Sequence, residues 1–219
     1  MTQPTTERGR RTRGALLQAG RELFEELGFA EVSIDQVARR AGVSHGTVYT
    51  WFDGKEALLR EIVLGVVEQM FTASRVGPLV AYDDPRARVE AANRLYLQAV
   101  TANARILRVL ESQADVSPAF RGLRVQLREA FVRRGIAGLR RLQEQGLADP
   151  TLPVEPTVSA LGAMVEAFAH LWREDGLDED AAVEVLTRLW CGAIGLREPG
   201  GHGEADGVTT ARTAPASTC

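Results

Sequence analysis

Residues 33–52 read SIDQVARRAGVSHGTVYTWF. Two short helices and the turn between them can be read from this run. Ser33 stands where a capping hydroxyl accepts from first-turn amides, and Ile34, Val37, Ala38 and Ala41 then share one helical face. Gly42 follows, at a turn that requires a residue tolerant of left-handed backbone. A second capping hydroxyl, Ser44, opens another short helix through Trp51. Small Ala38 lets the two helices approach, and Ile34, Val37, Val43 and Val48 wedge between them. The pattern is that of a helix-turn-helix, whose second helix points its N-terminal end into the major groove of duplex DNA. Two plain core helices would need the apolar positions, but not both caps and the turn glycine in register.

Outward from this run, nearly every segment has helical periodicity. Leu16, Ala19, Leu23 and Leu27 mark a helix over about Arg10–Leu27, stopped by Gly28. Asp53-Gly54 breaks the chain before a fourth helix from Lys55 to about Ser74, and Gly77, Pro78, Asp83, Asp84 and Pro85 form a loop. A long helix from Arg86 places Val89, Tyr96, Val100 and Leu107 on one stripe. Ser117-Pro118 reads as a cap and first-turn proline for another long helix, ended by Gly146, with Phe120, Leu123, Leu127, Phe131, Leu139 and Leu142 inward. In the last two helices Val154, Val158, Leu161, Val165, Phe168 and Trp172, then Val183, Leu186, Trp190 and Ala193, recur in steps of three and four. The expected fold is all-α, with about nine helices. Residues 1–9 form a disordered basic arm, 10–54 a three-helix DNA-binding domain, 55–197 a larger ligand-binding and dimerisation domain, and 198–219 a disordered tail.

Composition restricts the function classes. Residues 1–60 carry 9 basic and 8 acidic groups, whereas residues 61–219 carry 17 and 21. Arg8, Arg10, Arg11 and Arg13 crowd the N-terminal end. A near-neutral head with a basic arm on an acidic body fits DNA binding at one end only. No apolar stretch is long enough to span a bilayer, and Met1–Gly14 lacks the apolar centre of a secretion signal, so a cytoplasmic location without membrane contact is expected. Cys191 reads as a small buried residue and Cys219 as incidental, with no disulfide or metal framework. There is no Gly-rich phosphate loop, HExxH, CxxC or GxSxG, and His45, His170 and His202 are far apart. Glu166 and His170, four apart, read as a surface ion pair. Neither enzymatic activity nor a cofactor or metal is expected. A helical adaptor would share the amphipathic helices but not the ordered run from Ser33 to Lys55.

The stretch VSIDQVARRAGVSHGTVYTWFDGKEALLREIV resembles the DNA-binding head of the TetR (tetracycline repressor) family. The shared features are Ser33, Val37-Ala38, Ala41-Gly42-Val43-Ser44, Gly46-Thr47-Val48-Tyr49, Phe52 and Lys55-Glu56-Ala57-Leu58. The likeness covers about residues 10–62. It implies a homodimeric, ligand-sensing regulator, by default a repressor released from a palindromic operator. It also implies DNA contacts from Ser33, Ser44, His45, Gly46, Thr47, Tyr49, Thr50, Trp51 and Lys55, with Tyr49 and Lys55 on phosphates. Lys55 is the only lysine in the chain. His45 stands where Lys, Arg or a small residue is more usual, Trp51 replaces a common His or Tyr, and Asp53-Gly54 replaces Pro-Ser or Pro-Asn.

For the effector, Asn93, Tyr96, Val100, Asn103 and Leu107 on one helix and Leu127 and Phe131 on the next are candidate pocket residues, with Phe120 as further apolar wall. They suggest a hydrophobic or amphipathic ligand. The two amides either orient that ligand or bond neighbouring helices. Val158, Leu161, Gly162, Val165, Phe168, Trp172, Leu186 and Trp190 form either a dimer face or part of the chain's own core.

Overall fold

The computed structural model describes residues 6–73, 84–174 and 176–197. Among them are nine helices: α1 (Glu7–Glu31), α2 (Ile34–Ala41), α3 (His45–Trp51), α4 (Lys55–Ala73), α5 (Pro85–Ala102), α6 (Ala104–Val116), α7 (Pro118–Glu144), α8 (Val154–Leu171) and α9 (Glu179–Ala193). The expected tail, Cys219 within it, the first five residues and most of the loop after α4 lie outside the described residues.

The local signals around α2 and α3 act as their chemistry requires. Ser33 and Gln36 form a reciprocal capping box, and the Ser44 hydroxyl accepts from the Thr47 amide at 3.3 Å. Gly42 takes the left-handed conformation (φ 68°) that lets the chain reverse between the helices. Val37, Ala38, Val48 and Phe52 are buried against Leu16, Leu23 and Phe24 of α1. Helical geometry in α1 breaks at Gly28 (φ 79°), where the sequence places its stop, and a last turn follows.

Two boundaries differ from expectation. Thr6 caps α1 by accepting from the Gly9 amide, so the helix begins three residues before the expected Arg10 and takes in Arg8, expected on the disordered arm. The stripe expected to continue from Arg86 through Leu107 is interrupted at Asn103 (φ −116°, ψ 13°), which ends α5 and starts α6. The Ser117 side chain makes no cap bond, and Cys191 is half-buried.

α4 joins the head to the body. It crosses α1 so closely at Gly20 that an added Cβ would lie 2.7 Å from Leu58 Cδ2. Buried residues then run without a break from Leu16 and Phe24 through Leu59 and Val66 to Leu97, Ile106, Val165 and Leu186. A second cluster of Leu139, Ala148, Val158, Leu161 and Ile194 closes the far end. α5 is fastened to α9 by Arg86–Glu184 and Arg94–Asp180 ion pairs and a buried Asn93–Thr187 hydrogen bond.

The most specific link is made by Lys55. Its ammonium donates to the carbonyls of Phe29 (3.0 Å), Ala30 (3.1 Å) and Val32 (3.1 Å) and lies 4.6 Å from the centre of the Phe29 ring. The last turn of α1 has no basic residue of its own, so Lys55 supplies the cation that its carbonyl end attracts. Lys55→Met should remove three charge-assisted bonds at once. A loss of about 2 kcal/mol is expected, read as a lower urea midpoint with an unchanged slope.

Candidate nucleic-acid interface and ligand cavity

α3 turns Val48 into the core and presents His45, Gly46, Tyr49 and Thr50 to solvent. Tyr49 is 51% exposed, unusual for an aromatic side chain in a domain with ample core. His45 Nδ1 lies 2.5 Å from a carboxylate oxygen of Asp35 at the start of α2, and its ring sits against Tyr49, centroids 5.1 Å apart. A carboxylate only accepts, so the contact places a proton on Nδ1. In the neutral ring Nε2 then faces outward as an acceptor. Asp35 therefore fixes both the ring's orientation and its tautomer, a role that the sequence pattern did not single out.

The other predicted contacts differ in availability. The hydroxyls of Ser44 and Thr47 are 2.8 Å apart and serve the cap, Ser33 is engaged with Gln36, and Thr50 donates to the Gly46 carbonyl. Trp51 is half-buried and packs on the core. Lys55, expected on a phosphate, is engaged within the head. Its ammonium donates to the Phe29 and Ala30 carbonyls of α1 and to the Val32 carbonyl just beyond it, so the side chain is directed into the head.

Beneath the head the body holds a cavity of about 970 Å³ that is partly open to solvent. Asn93, Tyr96, Val100, Leu107, Leu127 and Phe131 all line it. Asn93 also donates to Thr187 at 3.3 Å, so it serves the wall and the α5–α9 contact together. Asn103 is not in the wall. It accepts from Arg21 of α1 at 3.0 Å and donates to the Ala99 carbonyl at 2.8 Å, linking head to body. Phe120 is also absent from the wall; it is buried with its ring edge against Phe29. Val67 and Met70 of α4 reach the cavity from the side that carries the head.

Charged groups line the same space, and the helical stripes did not flag them. Arg124, Arg128 and Arg141 of α7 take part, as do Glu111, Glu166 and His170. Glu166 and His170 do not pair with each other: Glu166 faces Arg128 at 3.7 Å and His170 faces Glu111 at 3.3 Å. Desolvation holds the Tyr96 phenol well above its ordinary pKa; Glu166 adds to the shift and Arg128 opposes it.

The expected dimer stripe resolves to the chain's own interior. Val158, Leu161, Val165, Trp172 and Leu186 are buried, and Phe168 and Trp190 pack partly buried against the core. Gly162 faces Val132 of α7, and Val158, Gly162, Val165 and Trp190 line the cavity. The largest apolar side chains of α8 and α9 are drawn to the largest apolar contact available, the body itself. Exposed on the opposite faces are Ala160, Ala167 and Leu171 of α8 and Val185 and Leu189 of α9.

Comparison with known proteins places these features. A family model described as "Bacterial regulatory proteins, tetR family" matches residues 16–62, from α1 to the first turns of α4. The HTH-type transcriptional regulator EthR of Mycolicibacterium smegmatis is 25% identical over 204 residues, covering 88% of this chain and 94% of its own. The EthR of Mycobacterium tuberculosis is 24% identical over 205 residues, with 88% and 95% covered. A TetR-like transcriptional regulator from Rhodococcus sp. RHA1 superposes with a TM-score of 0.61 at 23% identity, covering 83% of this chain and 94% of that one, a likeness of fold. Among the described residues no helix is long and apolar enough to cross a membrane, and no group of three or more His, Cys, Asp or Glu side chains could hold a metal.

Proposed function

Because the chain belongs to the TetR family of DNA-binding transcriptional regulators, we propose that it is a cytoplasmic, dimeric repressor that leaves a palindromic operator when an apolar or amphipathic small molecule fills its cavity. The observation that carries this reading is one continuous core with an exposed, capped reading helix at one end and a large cavity behind the helix that supports it. His45, Gly46, Tyr49 and Thr50 meet the DNA, with Tyr49 on a phosphate and His45 at a base edge. The exposed faces of α8 and α9 meet their copies in a partner, where Ala160 and Ala167 permit close approach around Leu171, Val185 and Leu189.

The route from effector to DNA follows from contiguity. Val100 and Leu107 line the cavity one turn to either side of Asn103, whose side chain accepts from Arg21 of the head. Val67 and Met70 offer a second point of pressure on α4. A ligand that spreads these walls displaces α4 and α1 together, and the two reading helices of the dimer lose the spacing of successive major grooves.

Binding to the chain's own promoter fragment, followed by fluorescence anisotropy, should weaken steeply with salt. Tyr49→Phe should lower affinity about fivefold to tenfold for operator and unrelated duplex alike. Asp35→Ala should leave affinity for unrelated duplex unchanged while relaxing selectivity at one base position, read by sequencing the fragments that the protein retains. Uniform loss across all sequences would refute the tautomer role. Leu189→Asp should yield a monomer in sedimentation velocity that no longer retains operator DNA; a persistent dimer would move the interface elsewhere.

A further inference from the structure

The cavity has a charge imbalance that points to the chemistry of its occupant. Its two carboxylates are already engaged, Glu111 with His170 and Glu166 with Arg128. Three arginines of α7, Arg124, Arg128 and Arg141, stand at its solvent-exposed rim, and Arg124 and Arg141 make no ion pair with any described residue. Arg128 is itself loosely held, 3.7 Å from Glu166 and 3.4 Å from the Ser159 carbonyl. Against this basic rim stands a wall of Leu107, Leu127, Phe131, Val165 and Trp190.

Tyr96 lies where the two regions meet. Its ring packs edge-on against Phe131, centroids 5.4 Å apart, while its hydroxyl bonds to no described residue and stays accessible to solvent from the cavity. With no protein group to donate to and an open path from the cavity, the phenol is a donor that an entering ligand can engage. It suits a ligand that brings an acceptor. The phenol stays neutral throughout the physiological range, so its proton remains available for donation.

We propose that the cavity selects a monoanionic amphipath: an apolar chain or ring system against Leu107, Leu127 and Phe131, with a carboxylate head that accepts from the Tyr96 hydroxyl and the Arg128 guanidinium. This rests on the reading of the cavity as the effector site and adds the charge class of the effector. A cationic occupant is disfavoured because Glu111 and Glu166 already face His170 and Arg128, leaving the arginines at the rim to repel it. A neutral occupant leaves the arginine rim without a purpose in binding and gives the phenol only a weak acceptor.

The test is calorimetric titration of the full chain with octanoate, dodecanoate and palmitate below their micelle-forming concentrations, alongside the matching alcohols and alkyltrimethylammonium ions. At the best chain length the carboxylate should bind at least about tenfold more tightly than the alcohol. Tyr96→Phe and Arg128→Gln should each erase most of that preference while leaving the alcohol's affinity unchanged, a split that general damage to the fold would not produce. An alcohol or ammonium ion that binds as tightly as the carboxylate overturns the charge class but leaves the cavity as an effector site. Failure of every member of all three series overturns the effector site itself.

Discussion

One ammonium group holds three carbonyl oxygens that would otherwise end a helix unsatisfied. Lys55 begins α4, and the carbonyls of Phe29, Ala30 and Val32 belong to the last turn of α1 and the link to α2. The contact fixes where α4 starts relative to the helix that supports α2 and α3. Since α4 also reaches the cavity through Val67 and Met70, the placement of α3 and the shape of the cavity are set by the same rigid element. The close crossing at Gly20 and Leu58 leaves little room for α4 to move independently of α1. Any displacement of α4 is therefore passed to α1 and the helices it supports.

The head was legible because its determinants are local. Caps, a left-handed glycine and the spacing of Val37, Ala38 and Val48 each act within a few residues, and each falls where its chemistry demands. What lay beyond local reading was the destination of long side chains. The family resemblance implied a phosphate contact for Lys55. Here the nearest concentration of negative potential is the carbonyl end of α1, some twenty-five residues earlier in the chain. The Asp35–His45 contact was missed for the same reason, since its partners sit on different helices.

The body was legible in outline and misleading in detail. Helical periodicity identifies the most apolar stripe of a helix but not what that stripe touches. For α8 and α9 it turned toward the body and the cavity, leaving smaller residues such as Ala160 and Ala167 on the surface. At Asn103 a stripe that looks continuous in sequence crosses a real break, so one of two similar asparagines lines the cavity and the other is bonded to Arg21. The arginines of α7 read as a solvated face, and only the packing of the other helices shows that part of that face borders the cavity.

The Lys55 contact has a practical corollary. The chain's only side-chain amine is also the group that closes the head, so acylating reagents encounter it as a donor already spoken for on three sides. The rate at which that nitrogen becomes reactive would measure how often α4 parts from α1. The molecule thus carries a native chemical clock for the separation of its two halves, with no engineered label required.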